Sequence, residues 1–296
     1  MTTIAVLGSA NMDLVVRQQR LPRPGETIFG DAFTTVPGGK GLNQAVAAAR
    51  LGAEVVFLGA VGDDDYGRRI RSLLEAEGID TAGLATAQAP TGTAHVQVTA
   101  SGENSIVVVR GANATITTLD AAQEAAIRSA TVLVMQFELP LGLVDEAARI
   151  AQDAGVLTVL TPAPVLAPPQ GLLERVGIVV PNEIEAMALT GASGPERAAE
   201  LLSGLAEWAI VTLGAEGSII AHRGEVLGHA PARPVRAVDT TAAGDTFVGG
   251  LIARLGAGDD VVEAVRWGTA AASVTVTREG ATSSMPRLAE VAPLLG

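Results

Sequence analysis

The stretch Thr131-Val132-Leu133-Val134-Met135, then Gln136-Phe137-Glu138-Leu139-Pro140, then Leu141–Asp153, Gly155 and Leu157-Thr158-Val159-Leu160, reads as one complete strand–helix–strand unit. The two outer runs are short, apolar and rich in β-branched residues, with no polar alternation. Such runs suit strands that are covered on both faces, as in a parallel sheet. The middle run keeps a helical period and stops before Gly155, a residue that readily takes the left-handed conformation closing a helix.

The same rhythm continues outward in both directions. Apolar runs recur at Thr3–Leu7, Val55–Leu58, Gly177–Val180 and Ala209–Leu213. Helix-period stretches lie between most of them, with Leu42–Leu51 ending at Gly52 and Asp65–Glu77 at Gly78. Alternating strands and helices predict an α/β fold with a mostly parallel central sheet flanked by helices. Two regions break the rhythm. Residues 12–36 hold strand-like segments around Leu21-Pro22-Arg23-Pro24-Gly25, and residues 93–109 read as a hairpin turning at Ser101-Gly102-Glu103-Asn104. These are expected to form one small sheet beside the main one, a lid inserted in a single domain spanning residues 1–296. There is no internal repeat and no low-complexity linker, and Pro162–Pro169 is a proline-rich loop rather than a boundary.

Composition narrows the function. The chain has 296 residues, 48% of them hydrophobic and 3% aromatic, so its core is built from Ala, Val, Leu and Ile. The formal net charge is -12, and the one basic cluster, Arg68–Arg69–Arg71, falls in an amphipathic helix as a solvated face. A nucleic-acid partner is therefore not expected. The absence of cysteine excludes disulfides, thiolate catalysis and cysteine-based zinc sites. No leader sequence and no apolar stretch of membrane-spanning length is present, so a cytoplasmic protein with no membrane partner is expected.

Four segments carry the chemistry. In Asp239-Thr240-Thr241-Ala242-Ala243-Gly244-Asp245-Thr246-Phe247, small residues precede an apolar helical run, Phe247–Leu255. Free amides and the helix dipole at such a point make an anion site. Asp245 beside the anion can take a proton from a hydroxyl as it attacks phosphorus; a plain N-cap aspartate is the structural alternative. In Pro37-Gly38-Gly39-Lys40-Gly41-Leu42-Asn43-Gln44-Ala45, glycines allow close approach, Lys40 can meet a phosphate, and Asn43 can bond a polyol. This segment is neither a Walker motif nor a dinucleotide fingerprint, and a structural turn is its alternative. In Ser9-Ala10-Asn11-Met12-Asp13, Asn11 and Asp13 follow the first strand and can hold sugar hydroxyls or simply form a turn. In Pro181-Asn182-Glu183-Ile184-Glu185, Glu185 can hold Mg²⁺ through water or merely enrich a helix start in acids. All four lie where a parallel sheet presents its ligand edge.

The two glycine motifs, in this order and at about this separation, resemble the two signatures of the ribokinase/PfkB-type carbohydrate kinase family. The similarity runs over nearly the whole chain. Gly38–Ala45, Met135-Gln136-Phe137-Glu138, Thr161-Pro162-Ala163-Pro164 and Asp239–Phe247 resemble the family's ribose-phosphorylating branch. The resemblance implies a doubly wound sheet, a small β lid that mediates homodimer formation, and ATP used with Mg²⁺. It implies that Asn11, Asp13, Gly38, Gly39, Lys40, Asn43 and Glu138 hold ribose, that Asp245 is the base, and that Ala242, Ala243 and Gly244 form an anion hole. Asn182, Thr212, Gly214 and Gly217 would line the nucleotide site together with Gly244, and Glu185 would organise Mg²⁺. Thr269 stands near the adenine position, where relatives often carry His or Asn. A monovalent cation, K⁺, would sit behind the anion hole at Asp239, Thr241, Thr275, Arg278, Gly280 and Ser284, partly through main-chain carbonyls. A salt bridge from Asp239 to Arg278 is the alternative for that segment.

Other substrates of the same family (fructose, 2-deoxyribose, a nucleoside) and a non-catalytic sugar sensor remain as alternatives. An NAD-dependent oxidoreductase is disfavoured, since no GxGxxG fingerprint follows a strand.

Overall fold

The structure is a computed structural model that describes residues 3–295; residues 1, 2 and 296 of the expected single domain lie outside it. In chain order the strands are β1 (Thr3–Leu7), β2 (Asn11–Gln18), β3 (Ala32–Gly38), β4 (Glu54–Gly62), β5 (Leu84–Ala87), β6 (Gly92–Thr99), β7 (Asn104–Val109), β8 (Val132–Gln136), β9 (Leu157–Thr161), β10 (Ile178–Val179), β11 (Trp208–Thr212), β12 (Ser218–His222) and β13 (Glu225–Ala230). The helices are α1 (Lys40–Arg50), α2 (Asp65–Ala76), α3 (Ala121–Ser129), α4 (Leu141–Ala154), α5 (Glu183–Thr190), α6 (Pro195–Ser203), α7 (Ala243–Ala257), α8 (Val261–Thr275) and α9 (Leu288–Val291).

The main sheet has nine strands in the order β13-β12-β11-β10-β9-β8-β1-β4-β5. From β11 to β5 every neighbouring pair is parallel, and β12 and β13 extend the sheet as an antiparallel edge. Inner strands alternate their side chains between two cores. Ile4, Val6, Val132 and Val134 meet Leu42, Ile70, Val248 and Leu251 on one side. Ala5, Leu7, Leu133 and Met135 meet Ile127, Leu143, Ala147 and Leu202 on the other. Both faces are thus apolar, as the uninterrupted runs predicted, and the expected doubly wound, mostly parallel architecture is present. Burial of these branched side chains contributes roughly 1.5–3 kcal/mol each before chain entropy is counted.

The topology places the site. The chain moves from β1 to β4 and β5 on one side, then resumes with β8 against the opposite edge of β1. The crevice at the carboxyl ends of β1 and β8 is therefore the switch point, where open α/β sheets bind ligands. Helices α1 and α7 converge on it because glycine lets them touch. A Cβ on Gly249 would come within 2.3 Å of the Ala47 Cβ.

The small sheet has the order β3-β2-β6-β7, with β2 and β6 parallel and the outer pairs antiparallel. It joins the two segments expected to form it. Asn11 and Asp13 are its first residues on β2 rather than a turn, so the turn-forming alternative fails. Of the arginine cluster, only Arg68 keeps to its helix surface, paired with Asp65. Arg69 donates to Thr35 on β3, and Arg71 donates to the carbonyls of Thr81 and Leu84, so these two brace α2 against its neighbours.

Candidate active site

Asp245 lies in the first turn of α7, which begins at Ala243, four residues before the apolar run that announced it. Ala242 precedes the helix with φ +58°, a left-handed conformation that costs a non-glycine residue energy. The N-cap reading of Asp245 is thereby overturned. Its carboxylate turns toward α1, where Oδ2 accepts from Asn43 Nδ2 at 2.9 Å and Oδ1 from Gln44 Nε2 at 3.1 Å. Burial raises the Asp245 pKa and Glu138 adds to the rise, while Lys40, Asn43 and Gln44 oppose it. Amides of a helix's first turn have no partner within the helix; here the Ala243 N–H bonds the Thr240 carbonyl at 3.2 Å. Space above Gly244 is open, since a Cβ there would meet nothing within 4 Å.

A second carboxylate sits across the crevice. Glu138 follows β8, and its Oε2 accepts from the Ser9 hydroxyl and from the Lys40 amide at 3.1 Å. The third, Asp13, occupies a notch that glycine leaves open: a Cβ on Gly38 would lie 2.3 Å from Asp13 Oδ2. Burial, then the charges of Glu138 and Asp245, push the Asp13 pKa up to about 7. Gly39 enters α1 with φ +96° and presses against the Asn11 amide and the Ser9 carbonyl, so glycine is required there. Asn11 is buried, and its Oδ1 accepts from Asn113 Nδ2 at 2.8 Å. Asn43 Oδ1 is buried without a partner. That orphaned acceptor suits a hydroxyl donor from a bound polyol.

Lys40 shares a cleft of about 230 Å³ with Asn182, Glu185, Thr212, Gly244 and Asp245. Burial works against its charge, but Asp245, Glu138 and Glu185 together raise its pKa, so the ammonium stays charged beside three carboxylates. Such a cation is suited to an anionic ligand. Glu185 and Asn182 form a reciprocal capping box at the start of α5, with Glu185 Oε2 accepting from the Asn182 amide at 2.9 Å and Asn182 Oδ1 from the Glu185 amide at 2.8 Å. One Glu185 oxygen thus braces the helix. No cluster of three His, Cys, Asp or Glu able to hold a metal exists among the described residues. Mg²⁺ fits regardless, because it keeps several waters and is satisfied by one carboxylate plus phosphate oxygens.

Three expected nucleotide residues lie outside this cleft's lining. Gly217 is needed by the fold itself, since a Cβ would reach 2.0 Å from the Ala230 carbonyl oxygen on β13. Gly214 turns with φ +58° in open space. Thr269 lines a separate cavity of about 460 Å³ with Leu227, His229 and Arg266.

The expected cation segments are brought together by Asp239. Its Oδ1 accepts from the Thr241 amide at 2.9 Å and hydroxyl at 2.6 Å, and its Oδ2 from the Gly280 amide at 2.9 Å. These bonds hold the Asp239 pKa low against the upward pull of burial. Arg278 pairs with Glu290 at 2.5 Å, so the Asp239–Arg278 salt bridge is absent. The Thr275 hydroxyl donates to Thr246 and the Ser284 hydroxyl to the Ala281 carbonyl. Main-chain carbonyls are therefore what these segments offer a cation.

Sequence reasoning gave no role to Gln44, Gln136, Ser9 or Asn113, all buried: Ser9 bonds Glu138, Asn113 bonds Asn11, Gln44 bonds Asp245, and Gln136 bonds Gln44. A usable signal existed for two of them. Gln44 interrupts an apolar helix and Gln136 ends an apolar strand, and buried amides demand partners.

Residues 1–288 match the family described as pfkB family carbohydrate kinase. The chain belongs to the pfkB carbohydrate kinase family. It is 41% identical over 304 residues to a ribokinase of Haemophilus influenzae, covering 99% of this chain and 98% of the relative. It is 42% identical over 301 residues to a ribokinase of Bacillus subtilis, each chain being covered completely. The structure of Arabidopsis thaliana ribokinase complexed with ribose and ATP superposes with a TM-score of 0.92 at 32% identity, covering 99% of this chain and 98% of the other. As in other folds that serve many chemistries, membership alone fixes the scaffold and the class of reaction. For this pfkB kinase the site residues must carry the rest.

Proposed function

We propose that this pfkB kinase phosphorylates D-ribose at its 5-hydroxyl with ATP. The observation that carries the reading is the convergence of Asp13, Asn43, Glu138 and Asp245 on one crevice at the switch point, beside Lys40 and the start of α7. The named ribokinases, alike over the full length, supply the sugar. Asn11, Asp13, Asn43 and Glu138 bind and orient the ring, with Gly38 and Gly39 giving the room, so that one primary hydroxyl faces Asp245. As its oxygen bonds the γ-phosphorus and the bond to ADP breaks, the hydroxyl proton passes to the Asp245 carboxylate. A free alcohol need not ionise first; the carboxylate accepts the proton as the bond forms.

Charge developing on the phosphoryl oxygens meets the amides of Ala242 and Gly244 and the Lys40 ammonium, while the Ala243 amide of the expected anion hole is held by the Thr240 carbonyl. Asn182 and Thr212 flank the phosphate cleft, and Gly214, Gly217 and Thr269 mark the way to the nucleoside. Mg²⁺, held through water by the free oxygen of Glu185, would neutralise phosphate charge. K⁺, on carbonyls of the segments that Asp239 joins, would stiffen the anion hole. The small sheet closes over the sugar as a lid that excludes water.

The lid also supports a homodimer. Edge strand β7 exposes Ile106, Val107, Val108 and Val109 at 45–60%, and Phe33 on the opposite edge strand is 62% exposed. Consecutive strand residues point to opposite faces, so both faces of β7 are apolar and open. A second copy would cover this edge and guard it from non-specific pairing. A cytoplasmic setting accords with the substrates; no helix among the described residues is long and apolar enough to cross a membrane.

The test is a coupled ADP-release screen over pentoses, hexoses and nucleosides. Ribose should give the highest kcat/KM. A clear preference for fructose or a nucleoside would replace the substrate and leave the family intact.

A further inference from the structure

The amide of Gln44 reaches Asp245 with an unambiguous orientation. Its Nε2 donates to Asp245 Oδ1 and to Thr161 Oγ1, both at 3.1 Å, while its Oε1 accepts from Gln136 Nε2 at 2.7 Å. The Asp245 carboxylate can only accept, so the Gln44 NH₂ must face it, and the Gln44 Oε1 left over takes the Gln136 NH₂; flipping the Gln44 amide would set an oxygen against a carboxylate oxygen and a nitrogen against a nitrogen. Gln44 and Gln136 are both fully buried. Gln136 Oε1 has no partner, and a Cβ on Gly8 would come within 2.3 Å of it. An apolar side chain at 136 would pack without leaving a buried oxygen unbonded, so packing alone does not account for an amide there.

We propose that Gln44 is a positioning residue that holds Oδ1 of Asp245 and fixes the plane of its carboxylate, with Gln136 locking the Gln44 amide in turn. This rests on the reading of Asp245 as the base. The chain of contacts runs from β8 through α1 to α7. It sets the carboxylate against the rigid centre of the sheet rather than against the loop that precedes it. Asn43 holds Oδ2 from the same helix. The hydroxyl of the sugar then meets a carboxylate whose rotation is blocked on both sides.

Other charged groups face this carboxylate: Lys40 at the start of α1, Glu138 after β8, Asp13 on β2 and Glu185 on α5. The test is therefore the pH profile of kcat at saturating ribose and ATP, with Asp13→Asn identifying any inflection that belongs to Asp13. In Gln44→Leu the loss of a bond to the ionised form should move the acidic inflection up by about one pH unit. Turnover at its optimum should fall by about 10- to 100-fold, with both KM values little changed. Gln136→Leu, which alters a side chain bonded to Gln44 and not to Asp245, should shift the inflection the same way by less. The double variant should match Gln44→Leu alone. A folded Gln44→Leu enzyme, by circular dichroism, with an unmoved inflection overturns the proposal. Should that variant not fold, Gln136→Leu decides: a shifted inflection supports the lock and an unmoved one overturns it. Asp245→Asn is run beside them. If its residual activity keeps the same acidic inflection, the base assignment fails instead; if the inflection is lost there yet unmoved in the glutamine variants, only the positioning role fails.

Discussion

Asn43 Nδ2 donates to Asp245 Oδ2 at 2.9 Å, joining the first turn of α1 to the first turn of α7 across 202 residues of chain. The two glycine motifs are thus one unit, and substitutions in either should be felt at the same atoms.

Asp245→Asn removes the proton acceptor while keeping the shape of the side chain. Turnover should fall by roughly 10²–10⁴-fold, the range for loss of a general base, with the thermal midpoint and ribose affinity retained. Steady-state kinetics beside isothermal titration with ribose checks this. Near-normal turnover with intact binding would remove Asp245 from the chemistry.

Asp13 has its carboxyl raised from 3.8 to about 7 in the folded protein. The folded state therefore holds this proton more tightly than the unfolded chain. Its contribution to stability is full below about pH 4 and is lost as the pH rises through about 7. Even half of that rise is worth about 2 kcal/mol. Asp13→Asn should accordingly raise the thermal midpoint at pH 8 and change it little at pH 4. Asp13→Ala should raise the ribose KM far more than the ATP KM, since a sugar hydroxyl loses its acceptor at a cost of about 1–3 kcal/mol. An unchanged midpoint difference between the two pH values would contradict the protonation assignment.

The parallel core was legible in the sequence because strands buried on both faces are continuous apolar runs. Strand β13 was not, since it alternates exposed and half-buried residues and carries a glycine; β12, five residues long, carried the same buried apolar signal as the others. The start of α7 was hidden by the Ala-Ala-Gly stretch, whose residues signal a turn although Ala243 and Gly244 are helical. At the site, local motifs were readable, but the partners of a buried amide were not. Gln44 meets Gln136 and Asp245 at separations of 92 and 201 residues, which no local pattern records.

Asp239 bonds Thr241 and Gly280 with both oxygens. K⁺ added at constant ionic strength to enzyme in Tris buffer should raise turnover several-fold, with Na⁺ less effective. Asp239→Ala should abolish that response and lower basal turnover, as the loop loses its brace. Equal activity with and without K⁺ would leave Asp239 as a brace alone.

The exposed Val107 and Val109 of β7 should lie within a dimer contact. Light scattering should give about twice the 30.0 kDa chain mass for the native protein, and a monomer for Val107→Asp/Val109→Asp with its fold intact. A native monomer at micromolar concentration would refute the contact.

The most direct test of the proposed reaction is phosphorus and carbon NMR of the product formed from ribose labelled with ¹³C at C5, in the presence of ATP and Mg²⁺. Phosphate ester formation should split the C5 resonance by coupling to phosphorus, one ADP appearing for each ester, and Asp245→Asn should suppress both signals together. ADP released with no C5–phosphorus coupling, or no ADP above the rate with ATP alone, would contradict ribose phosphorylation at the 5-hydroxyl.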